Sequence, residues 1–143
     1  MLHDEEKRIL AGLRLEQAHQ CLKAANALLA IGDSRGAVNR AYYAVFHAMR
    51  SVLATEGKDF SKHSGVISYF RMHYVKNGVF GKDLSDTISN LFASRSMSDY
   101  DDYFELSEED VLKLVNEANG FVAAVKSFHE KESIPTHSAN TKR

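Results

Sequence analysis

The chain has 143 residues, 44% of them hydrophobic, a formal net charge of −1 and a single proline, Pro135. That is one-domain length, with enough apolar side chains for a sizeable core, and the composition points to a globular helical protein. No apolar run approaches the ~20 residues of a membrane span, the acidic start MLHDEEKRIL has no signal-peptide stretch, and the lone Cys21 excludes an internal disulfide, so a cytoplasmic protein is expected.

The small net charge hides an asymmetry. Residues 35–82 hold eight Lys and Arg and two acids, together with His47, His63 and His73, whereas residues 83–110 hold nine acids and only Arg95. Either the two stretches carry opposing local fields or the helices simply sort their charges for solubility.

In chain order, the first helix is expected from Glu5 to Ile31, because Ile9, Leu13, Cys21, Leu22, Ala25, Leu28 and Leu29 recur at helical spacings. Gly32 stops it, and Asp33 or Ser34 caps the next helix. The short connection makes the two antiparallel neighbours. The second helix runs from Arg35 to Ala54 with Val38, Ala41, Val45, Met49 and Val52 as its apolar stripe, and ends at Gly57. After the polar loop GKDFSK a third helix spans His63 to Lys76, with Val66, Ile67, Phe70 and Tyr74 inward. A fourth spans Leu84 to Ser96 on Leu84, Ile88, Leu91 and Phe92, and an acidic aromatic loop follows from Asp99 to Glu105. Ser107 caps the fifth helix, with Asp110 three residues on and Leu106 stapled to Val111. Its inner face is Val111, Leu114, Val115, Ala118, Phe121, Val122, Val125 and Phe128. The expectation is an all-α, up-and-down bundle of four or five helices over residues 1–132, with a polar tail over residues 133–143 that frays.

The second helix carries the chemistry. Arg40 and His47 are almost two turns apart, on one face and ~10 Å apart along the axis. Tyr43 and Arg50 flank them, and Ala44 and Ser51 share their stripe, so Arg40, Tyr43, His47, Arg50 and Ser51 are expected as a polar ridge outside the core. The small Ala44 would leave room there for a ligand or a partner helix. A fixed cation beside a titratable imidazole suits chemistry on a phosphate ester. The plainer alternative is that Arg40 pairs with a carboxylate and His47 fills a packing gap. Elsewhere, Glu16 and His19 stand three apart but lack the second pair of a di-metal bundle. His63 and His73 lack further ligands, so no metal site and no cofactor are expected. Arg95 and Asp99 have intrahelical ion-pair spacing. Tyr100 and Tyr103 either close the end of the bundle or offer modification sites.

The segments NRAYYAVFHA, KHSGVISYF, YVKNGVF and RSMSDYDDY, in that order, resemble bacterial and archaeal HEPN-domain proteins (higher eukaryotes and prokaryotes nucleotide-binding domain). The resemblance spans about residues 10–130. It implies an all-α bundle that dimerises and a signature of Arg, four to six residues, then His; Arg40 and His47 enclose six. It further implies a metal-independent endoribonuclease, with one composite cleft between two copies. It also implies a toxin paired with a minimal nucleotidyltransferase antitoxin. The catalytic pair would be Arg40 and His47, with Asn39, Tyr43, Arg50, Lys62 and His63 binding RNA or nucleotide. Lys58, Arg71 and Lys76 could also track the backbone, and Tyr42 or Tyr43 could stack a base. Two positions depart from the pattern: Ala41 follows the Arg where a polar residue is common, and Met49 stands where some toxins have a modified Tyr. The rival reading is a non-catalytic nucleotide-binding or interaction module that partners a nucleotidyltransferase.

Overall fold

The computed structural model describes residues 3–102 and 105–132. Helix α1 spans Asp4–Ala30, α2 Ser34–Ala54, α3 His63–Phe70, α4 Lys82–Tyr100 and α5 Glu108–Lys131. The fold is an all-α bundle, with no strand among the described residues.

The caps explain most of the boundaries. Asp33 accepts a hydrogen bond from the Gly36 amide at 2.9 Å, and Ser107 accepts one from the Asp110 amide at 3.1 Å. Each such cap contributes about 1 kcal/mol by satisfying an otherwise orphaned helix donor. Gly32 follows α1 with φ at 80°, a left-handed conformation that a side chain resists.

Helix α2 is the axis of the bundle, packing on α1, α3, α4 and α5. Thirteen of its 21 residues are buried, including all five of the expected apolar stripe. The inner faces of α3 and α5 also lie where the periodicity puts them, although Phe128 is only partly buried.

Several expectations fail, each for a physical reason. On α1, Cys21, Leu22 and Ala25 are buried as expected, but Ile9 and Leu13 are 52% and 59% exposed, and the first half of the helix buries Ala11, Arg14, Leu15 and Ala18 instead. Small alanines let α1 lie close against α2, so the larger residues were a poor guide to its inner face. Ser51 and Ala44 are fully buried, so neither belongs to an open ridge and Ala44 leaves no space there. Phe92 is 46% exposed. The third helix does not stay α-helical to Lys76, because Arg71–Val75 form a π-turn. Finally, α4 continues through Asp99 and Tyr100 into the expected loop. Arg35 holds its end there, donating to the carbonyl oxygens of Ser98, Asp101 and Asp102. A guanidinium on the last carbonyls of a helix satisfies orphan acceptors and opposes the negative end of the dipole. The expected tail, residues 133–143, lies outside the described residues.

Candidate functional site

The exposed remainder of α2 is a ridge of Asn39, Arg40, Tyr43, His47 and Arg50, all partly buried. Arg40 bonds no carboxylate: its Nε and Nη2 donate to Asn39 Oδ1 at 3.2 and 2.9 Å. Its guanidinium lies 5.1 Å from the Tyr43 ring centre, and Tyr43 lies 6.2 Å from the His47 ring. Tyr43, three residues after one and four before the other, therefore touches both members of the pair.

The His47 Nδ1 is buried and has no hydrogen-bond partner among the described residues. Burial, followed by the charges of Arg50, Arg40, Arg14 and His63, pushes this imidazole below its ordinary value of 6.5. The neutral form of the ring therefore predominates at pH 7.

The start of α3 brings His63 to the same place. Its ring lies 4.0 Å from Phe46 and 5.7 Å from Tyr43, and its Nδ1 is 3.0 Å from the Tyr42 hydroxyl. Burial and the charges of Arg95 and Arg50 lower its pKa, which favours the neutral ring in this hydrogen bond. Helix α4 adds Arg95, 4.8 Å from the Tyr42 ring and 5.2 Å from the Tyr43 ring, with Nη2 3.3 Å from the Tyr43 hydroxyl. The expected Arg95–Asp99 pair is present at 3.4 Å, but the stack on two tyrosines gives Arg95 a second role that spacing alone does not reveal.

Opposite Arg40, Asp59 binds two guanidiniums. Its Oδ2 is 3.1 Å from Arg14 Nη2 and 3.0 Å from Arg50 Nη2, and its Oδ1 is 3.3 Å from Arg50 Nε. Burial pulls this carboxyl upward, but hydrogen bonds from Arg50 and the Phe60 amide, with the charges of both arginines, hold it below the usual range. Four arginines and two histidines thus surround one stretch of α2, with Asp59 and Asp99 as counter-charges.

Of the expected site residues, Asn39, Arg40, Tyr43, His47, Arg50 and His63 come together. Lys62 is exposed at the N-cap of α3. Tyr100 is 90% exposed on the last residue of α4, so it does not pack the bundle end, and no hydrogen bond or ring contact ties it to the ridge. Tyr103 lies outside the described residues. Arg14, Asp59 and the stacking of Arg95 were missed. Arg14 had a readable signal: it falls on the α1 face shared by Ala11, Leu15 and Ala18, and a cation on a buried face needs a partner. Among the described residues no group of three or more His, Cys, Asp or Glu is placed to hold a metal ion, and no helix is long and apolar enough to cross a membrane.

Comparison with known proteins places this arrangement. The HEPN domain model matches residues 11–128. A Thermotoga maritima protein named "UPF0332 protein" is 35% identical over 127 residues, covering 89% of this chain and 96% of the relative. A Methanocaldococcus jannaschii protein whose name begins "Putative toxin" is 33% identical over 112 residues, covering 78% of this chain and 83% of its own. An Archaeoglobus fulgidus UPF0332 protein is 30% identical over 119 residues, covering 83% and 94%. A family match across most of the chain, on a fold that sets Arg40 and His47 along one ridge, leads to one conclusion: the chain belongs to the HEPN domain family.

Proposed function

We propose that the protein is a metal-independent endoribonuclease that cuts RNA in a cleft shared by two copies of the chain. In this reading it is a toxin restrained by an antitoxin of nucleotidyltransferase fold. One observation carries the proposal: His47 stands on the partly exposed ridge of α2 with Arg40, Tyr43 and Arg50, its pKa lowered by burial and by the neighbouring guanidiniums. The word toxin in the name of the M. jannaschii relative supports the biological setting.

RNA brings its own nucleophile, the 2′-hydroxyl beside each phosphodiester. His47 of one copy takes the 2′-hydroxyl proton as the 2′-oxygen attacks phosphorus. The bond to the 5′-oxygen breaks, and the protonated His47 of the other copy supplies the proton that oxygen needs. The products are a 2′,3′-cyclic phosphate and a free 5′-hydroxyl. Arg40 stays charged and grips the non-bridging oxygens, where negative charge accumulates. Tyr43 offers a ring for a base, and Asn39, Arg50, Lys62 and His63 hold the flanking strand.

The test is cleavage of structured and unstructured RNA with EDTA present. His47→Ala and Arg40→Ala each reduce cleavage by at least ~10²-fold, the usual scale of general acid–base catalysis, while the helical circular-dichroism signal stays intact. Parent-like cutting by both variants refutes the assignment. The non-catalytic module is favoured by one observation, that Ala41 is fully buried, so no polar group follows Arg40 into the cleft. Growth arrest on expression, relieved by His47→Ala, decides against that module.

A further inference from the structure

The Asp59 clamp has an uneven construction. Its two cations sit on long helices, Arg14 on α1 and Arg50 on α2, with side chains only 11% and 24% exposed. Arg14 also donates to the Arg50 carbonyl oxygen at 3.5 Å, tying the two together. Their anion sits on the connection between α2 and α3. Residues 56–62 of this connection are exposed throughout, and it includes Gly57, whose φ is 70°. Its amides bond back to α2 only as far as Lys58, and Phe60, its one large apolar side chain, is 39% exposed. Such a segment opens at far lower free energy than the helices it joins. The cations are therefore fixed and the anion is the movable part.

A carboxylate and a phosphodiester both present two oxygens to an arginine fork, so a site built for one accepts the other. Arg50 lies three residues after His47 on α2, a neighbour on the same side of the helix, and shares Asp59 with Arg14, so an oxyanion held between the two arginines lies next to the proposed cutting site. Lys58 and Lys62 share the loop with Asp59.

We infer that Arg14 and Arg50 form a phosphate subsite for single-stranded RNA beside His47, and that Asp59 fills it as an internal competitor until RNA displaces it. The RNA part rests on the ribonuclease reading; the anion subsite does not. Apo protein thereby keeps two partly buried guanidiniums compensated, and RNA must displace Asp59 to use them.

The test compares the full-length parent, Asp59→Asn and the double variant Asp59→Asn/Arg50→Gln. Inorganic phosphate, against chloride at matched ionic strength, raises the Tm of Asp59→Asn more than that of the parent, and the gain disappears in the double variant. Equal responses in all three overturn the subsite. A single-stranded, 2′-O-methylated RNA, which cannot be cut, binds Asp59→Asn about tenfold more tightly, the scale of one charge-assisted contact. Phosphate stabilisation with unchanged RNA affinity overturns RNA as the occupant. If Asp59→Asn does not fold, the parent decides by NMR. The Phe60 amide donates to Asp59 Oδ1 at 2.9 Å and must shift saturably with phosphate; a flat response overturns the proposal. Positive binding in a protein that cuts no RNA refutes only the ribonuclease reading.

Discussion

Helix α2 supports two histidine environments that look alike by pKa direction and differ in every other respect. On the ridge, His47 is half-buried and is pushed down by burial together with three arginines and His63. On the core side of α2, the buried Ser51 Oγ meets His129 Nε2 of α5 at 2.9 Å. Ser51 donates its own proton to the Ala48 carbonyl at 2.6 Å, so its oxygen is left to accept from Nε2–H. The His129 Nδ1 then has no partner and no exposure, and burial alone lowers its pKa to about 4. One imidazole is kept neutral beside a surface where a ligand can reach it. The other is kept neutral because it is buried and no described group stands ready to accept a hydrogen bond from a protonated Nδ1. A depressed histidine is therefore a functional signal only when charge and access accompany it.

The sharpest way to break this comparison is to remove each ring in turn. His129→Ala empties a fully buried site, and should cost about 2–5 kcal/mol, as comparable large-to-small core changes do. Ser51→Ala should cost less, ~1–3 kcal/mol, by leaving the Nε2–H unsatisfied. Urea unfolding measures both, and cleavage per folded molecule should stay at the parent level. His47→Ala should show the reverse, near-parent stability and lost cleavage. If His129→Ala abolishes cleavage in molecules that remain folded, the structural assignment of His129 is wrong.

The bundle was legible in the sequence because its punctuation is local. Asp33, Ser107 and Gly32 act on their own neighbours, so capping rules find them without knowing the fold. The Arg40–Tyr43–His47 face was legible for the same reason, since one helix fixes it. What was not legible depends on partners distant in the chain. Asp59 lies 45 residues from Arg14, and His129 lies 78 from Ser51. Ser51 was misplaced because its angular position matches His47, yet α5 covers that side of the last turns of α2. On α1 the expected Cys21, Leu22 and Ala25 are buried, but Ile9 and Leu13 face out, because the buried positions of its first half include Ala11 and Ala18, which are weak in any hydrophobicity pattern.

pH separates the two rings next. His129 has a folded-state pKa of about 4, below the ordinary 6.5. Its stabilising contribution is complete above the unfolded pKa and is lost as pH falls through this window. The full loss is about 3 kcal/mol. His47 and His63 are lowered as well and add in the same direction, so His129→Gln should remove much of the slope without removing all of it. Unfolding midpoints between about pH 7 and about pH 4.5 read this. On the ridge the same sign appears in rate: the limb of the cleavage profile that reports the base lies below 6.5, and Arg50→Gln moves it upward by removing a neighbouring cation. A limb that stays in place in Arg50→Gln would show that these charges do not tune the reacting group.

The smallest effect tests how the ridge is held in shape. Tyr42 is buried, and its hydroxyl reaches His63 Nδ1 at 3.0 Å while its ring carries Arg95. Tyr42→Phe keeps the ring, and so the Arg95 stack, but removes the hydroxyl. Stability should fall by only ~0.5–1.5 kcal/mol, the net worth of one hydrogen bond. The His63 imidazole, freed from its fixed partner, should gain rotational freedom, visible as broadened or shifted ring resonances. If His63 holds RNA, KM should rise with kcat little changed, because a binding contact common to ground and transition states is what loosens. A fall in kcat at constant KM would instead place His63 in the chemical step, making the ridge a two-histidine site within each copy rather than a one-histidine site completed by its twin.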